Sequence, residues 1–99
     1  MSLNALERQQ TMQELQQNFE RLGQPLTVVA QQLKTTPANI TAILNLDDVA
    51  PEAPWILREY LNEALASAHQ TAIPYSKLTG DYHQYWFLDS QRIERKQLN

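Results

Sequence analysis

Residues 25–44 read PLTVVAQQLKTTPANITAIL, and this stretch decides the fold. Pro25 begins a short helix, where its missing amide proton costs little. The apolar pattern carries that helix to Leu33. Lys34–Thr36 make a turn, and Pro37 opens a second short helix that runs to about Leu44. Val29 and Ala30 stand where the two helices touch, and a side chain larger than Ala30 clashes at so close a crossing. Leu33, Ile40, Ile43 and Leu44 recur at helical spacing and supply the shared buried side. The whole, over about 25–45, has the spacing of a helix-turn-helix, the unit that lays its second helix in a DNA major groove. Such turns often hold glycine where Lys34 stands, and lysine takes that conformation only under strain.

On the N-terminal side, residues 4–22 read as a helix. Asn4 and Glu7 fit a capping box. Met12, Leu15, Phe19 and Leu22 fall on one stripe, and Gly23 stops the helix. On the C-terminal side, Asn45–Pro54 is a connector of turn residues. A fourth helix is expected from about Pro54 to His69. Its buried side is Leu57, Tyr60, Leu61, Ala64, Leu65 and Ala68, and its wet side Arg58, Glu59, Asn62 and Glu63. Residues 70–80 are irregular, with Ile73, Tyr75 and Leu78 pinning them to the core. A last helix begins near Thr79 or Asp81 and runs to about Leu88. The polar tail at about 89–99 is expected to fray.

The chain has 99 residues, 42% of them hydrophobic, no cysteine and a formal net charge of -3. That is one small domain over 1–99 with material for a single core. Absent cysteine removes disulfides, cysteine-ligated zinc and a thiol nucleophile together. No apolar run approaches the ~20 residues of a membrane span, and no secretory signal is visible. The expected location is the cytoplasm.

The charge distribution matters for partners. Residues 24–46 carry one charge, Lys34, while Asp47, Asp48, Glu52, Glu59 and Glu63 follow. An electropositive surface therefore needs Lys34, Lys77, Arg8, Arg21 and the tail residues Arg92, Arg95 and Lys96 together. On the second helix of the pair, Ala38, Asn39, Thr41, Ala42 and Asn45 face outward. Asn39 suits an adenine edge, and Thr41 a base or phosphate. The candidate DNA contacts are Lys34, Thr36, Asn39, Thr41 and Asn45. Trp55, Tyr82 and Trp86 are candidate interface residues, with core packing the alternative.

Catalytic constellations are weak. His69 and His83 lie far apart and form no metal pair. Asp47 and Asp48 point different ways, Glu59 and Glu63 read as a solvated pair, and Ser67 and His69 have poor helical geometry for contact. No glycine-rich phosphate loop exists. The chain is expected not to be an enzyme, with no cofactor and no metal.

The SLN opening with its Gln/Glu-rich helix, LTVVAQQLKTTPANITAIL, WILREYL at 55–61, and IPYSKLT…YWF occur in this order over nearly the whole chain. In that order the chain resembles a family of small bacterial proteins classed only as a domain of unknown function, whose members resemble lambda-repressor-like DNA-binding domains. The resemblance implies an all-α domain of about five helices with a central helix-turn-helix. It places Thr36, Asn39 and Thr41 at or near base-facing positions and implies no activity or ligand.

Two functions follow as expectations. One is a small DNA-binding regulator acting on double-stranded DNA, normally as a homodimer because one short helix reads too few bases. The other is a non-catalytic protein–protein interaction or dimerisation domain that kept the scaffold and lost DNA binding.

Overall fold

The computed structural model describes residues 5–47, 49–76, 78, 90–95 and 98, leaving aside the side chains of Ser90, Arg92 and Arg95. Its helices are α1 (Ala5–Leu22), α2 (Leu26–Gln32), α3 (Pro37–Leu44), α4 (Glu52–Ser67) and α5 (Ser90–Arg95), with no strand among the described residues. α4 packs against α1, α3 and α5, while α2 and α3 pack against each other.

α2 and α3 form where local signals and the apolar pattern agree. Thr36 caps α3 through its side chain, and Pro37 sits just inside it. Val29, Ala30, Leu33, Ile40, Ile43 and Leu44 are all buried in one core cluster. Each fully buried aliphatic of this size contributes roughly 1.5–3 kcal/mol relative to exposure. In α1, Leu15 is buried, and Met12, Phe19 and Leu22 pack against the core from partly buried positions. Asn4 lies outside the described residues.

Four helices end in the same left-handed way. After α1, Gly23 has φ 75° and donates to Phe19 O. After α2, α3 and α4 that position is taken by Lys34, Leu46 and His69, at φ 56°, 48° and 59°. In each case the amide of that residue and the next reach back into the last turn: Lys34 N to Gln31 O and Thr35 N to Ala30 O, Leu46 N to Ile43 O and Asp47 N to Ala42 O, His69 N to Ala66 O and Gln70 N to Leu65 O. These pairs satisfy carbonyls that a helix end otherwise leaves open. Lysine thus takes the left-handed conformation that glycine takes after α1.

A left-handed non-glycine residue costs about 1–2 kcal/mol, and glycine returns part of that through the unfolded chain's entropy. Lys34→Gly and His69→Gly are each expected to stabilise by about 0.5–1 kcal/mol, raising the melting temperature by a few degrees. Leu46→Gly is expected to destabilise, because Leu46 is buried in the core. Thermal melts of the three variants check this.

The structure corrects several expectations. α4 starts at Glu52, two residues before Pro54, and ends at Ser67, where His69 was expected to lie inside it. Pro51 is the cap and Pro54 lies in the first turn, where amides have no intrahelical acceptor, so neither proline breaks the helix. Residues 52–57 are all buried, whereas Ala68 is exposed. The expected helix to Leu88 falls on residues outside those described. The tail was expected to fray; its described part is docked instead. Ile93 and Leu98 are buried, and Leu98 N donates to Leu33 O at 2.9 Å.

Candidate nucleic-acid interface

α3 has a buried side and an outward strip. Ala38, Thr41 and Asn45 are exposed at i, i+3 and i+7, opposite Ile40, Ile43 and Leu44. No acidic residue interrupts the strip. Lys34 is exposed in the preceding turn, as are Thr36 and Pro37 at the helix start.

The polar groups of this region are held by their own surroundings. Thr36 Oγ1 accepts from Asn39 N at 3.2 Å. Asn39 Nδ2 donates to Thr35 Oγ1 at 2.8 Å, so this half-buried carboxamide has one donor engaged at home. Thr41 Oγ1 donates to Pro37 O at 3.2 Å, the back-bond a helical threonine makes. At the far end, Gln16 Nε2 from α1 donates to Leu44 O at 3.0 Å and to Asn45 Oδ1 at 3.2 Å.

Arg8 is exposed, with one N–H engaged by the protein. Its guanidinium donates to Leu46 O just beyond α3, where a cation offsets the negative end of the helix. Gln16 was an undistinguished member of a glutamine-rich helix, and nothing local in the sequence marks it as a cap. Of the tail basics, the side chains of Arg92 and Arg95, and the whole of Lys96 and Lys77, lie outside the described residues.

The interface candidates separate. Trp55 is 4% exposed and lies in the core cluster, leaving it almost no surface for a partner. Tyr82 and Trp86 lie outside the described residues.

Behind Trp55 lies a polar arrangement the periodicity placed in water. The Arg58 guanidinium sits 5.3 Å from the Trp55 ring centre and 5.8 Å from that of Tyr75, and pairs with Glu59 at 2.6 Å. Arg58, Glu59 and Asn62 are therefore half-buried, not wet. Arg58 Nε, Asn62 Oδ1 and the Tyr75 hydroxyl are buried without a hydrogen-bond partner among the described residues. The Asn18 carboxamide lies near that phenol without hydrogen-bond geometry; it bonds instead to the backbone of Ile73.

Burial pushes the Tyr75 phenol from 10.0 up to about 12, against the opposing influence of Asn18 and Arg58. Burial also raises Tyr60, although its hydroxyl donates to Gln24 Oε1 at 2.5 Å. The folded state thus holds the Tyr75 proton more tightly than the unfolded chain does. This contribution to stability is complete below pH 10 and is lost as pH rises to about 12. Tyr75→Phe is expected to flatten most of that alkaline decline in denaturant midpoint, with little cost at neutral pH because the hydroxyl has no partner to lose.

No group of three or more His, Asp or Glu side chains able to hold a metal occurs among the described residues, and none of their helices is long and apolar enough to cross a membrane. The profile of a family described as "Uncharacterized protein conserved in bacteria (DUF2316)" matches residues 1–89. The chain belongs to this family. No curated protein and no solved structure matches it. The DUF2316 match contains α1 to α4 and the outward strip of α3, while α5 and Leu98 lie beyond it.

Proposed function

We propose that this protein is a small cytoplasmic DNA-binding regulator with a lambda-repressor-like helix-turn-helix formed by α2 and α3. α3 enters the major groove of double-stranded DNA. The observation that carries this reading is the α3 strip: Ala38, Thr41 and Asn45 exposed and free of acids, on a helix whose opposite side is fully buried. A helix seated in this way presents a rigid, narrow face of the size a groove admits. Lys34, exposed in the turn, supplies a phosphate contact, and a homodimer supplies the second half-site.

A mobility-shift assay with genomic fragments at low salt tests the reading. Binding at micromolar protein that weakens steeply with salt is expected. No shift under those conditions removes the proposal.

One observation favours a second reading, a protein–protein interaction domain on the same scaffold. The strip itself has no cation, and one Arg8 N–H and one Asn39 N–H are bonded to the protein itself. This reading expects no DNA shift and a mass above that of one chain by light scattering. Tyr82 and Trp86 are its remaining interface candidates.

A further inference from the structure

We infer that the α3 strip discriminates duplexes by the 5-methyl groups of major-groove pyrimidines, thymine foremost, and not by guanine edges. The inference rests on the DNA reading above and names what that surface selects. Reading guanine takes a bidentate arginine or lysine, and the strip has neither. Reading adenine takes both functions of one carboxamide. Asn39 Nδ2 gives one of its two N–H groups to Thr35, and Asn45 Oδ1 one of its two acceptor sites to Gln16, so each carboxamide keeps a donor and an acceptor, and any adenine contact adds to the methyl contact without replacing it. The Thr41 hydroxyl proton is given to Pro37 O. Ala38 and Thr41 are exposed one turn apart, and each carries a methyl group. Alanine and threonine methyls meet the thymine methyl by apolar contact, and nothing else in the major groove matches them so directly.

Four short duplexes separate methyl from base: alternating dA–dT, the same with deoxyuridine for thymidine, alternating dG–dC, and the same with 5-methylcytosine. The expected result is tighter binding of each methylated member of a pair, about fourfold for each methyl group buried. Thr41→Ser, which deletes the methyl and keeps the hydroxyl with its bond to Pro37, is expected to lower that ratio toward one. Thr41→Val, which keeps the methyl and deletes the hydroxyl, is expected to preserve it. Thr41 is exposed, and circular dichroism confirms that the variants are folded. Equal affinity within both pairs, or a ratio that survives in Thr41→Ser and vanishes in Thr41→Val, overturns the inference and leaves DNA binding intact. No salt-sensitive shift with any of the four duplexes overturns the DNA reading itself, and this inference with it.

Discussion

Asn18→Ala is expected to lower the unfolding free energy by roughly 3 kcal/mol, a large part of the ~5–10 kcal/mol available to a domain of this size. Asn18 is fully buried in α1. Its Oδ1 accepts from Ile73 N at 2.7 Å, and its Nδ2 donates to Ile73 O at 3.0 Å and to Glu14 O at 3.0 Å. The carboxamide stands in for a neighbouring peptide group and clamps the chain that follows α4. Glu14 extends the clamp, accepting from Ser76 N at 3.0 Å and from Ser76 Oγ at 2.9 Å. Alanine leaves both backbone groups of Ile73 without partners, at about 1–3 kcal/mol each. Asn18→Asp keeps the acceptor for Ile73 N but sets a carboxylate against Ile73 O, so its cost is expected to be at least as large. Urea unfolding gives the magnitude, and hydrogen exchange gives the place. The Ile73 amide is expected to lose protection well before the amides of α4. Unchanged protection at Ile73 in a destabilised Asn18→Ala protein places the lost energy elsewhere and refutes the clamp.

The same residue shows why part of the fold was not legible in the chain. α2 and α3 could be read because every signal is local: a proline at each start, Thr36 before Pro37, and aliphatics spaced for one side. Asn18 joins residues 55 positions apart in sequence, and an asparagine within a glutamine-rich helix carries no mark of that. Arg58 failed for a related reason. Helical spacing assigns it to water, but the Trp55 and Tyr75 rings lie against its guanidinium, and Tyr75 arrives from a segment with no periodicity. Arg8 counted as a free positive charge until α3 was placed with its negative end beside it. Pro54 misled in the other direction, because a proline one turn into a helix looks the same in sequence as one at its start. For the candidate interface, three of the five expected outward positions of α3, Ala38, Thr41 and Asn45, are exposed, while Asn39 and Ala42 are half-buried. The engagement of their polar atoms was not legible, since Gln16 comes from another helix.

Ile40→Ala and Thr41→Ala are neighbours in sequence expected to differ severalfold in effect. Ile40 is fully buried in a cluster that α2, α3 and α4 share, so truncation removes transfer free energy and leaves a cavity. About 3 kcal/mol is the expected loss. Thr41 is exposed, and its hydroxyl bonds only to its own helix. Its replacement is expected to stay within about 0.5 kcal/mol. One residue step turns a helix by about 100°, enough to carry a side chain from core to solvent. The pair therefore measures the orientation of α3 without reference to any ligand. Denaturant midpoints at constant m-value give both numbers. A Thr41→Ala cost above that of Ile40→Ala would mean that the strip Ala38–Thr41–Asn45 lies against the protein, and then neither the groove contact nor the methyl selection has a surface to act through. With the expected order, Thr41→Ser and Thr41→Val report on DNA contacts alone, because the folded state is indifferent to them.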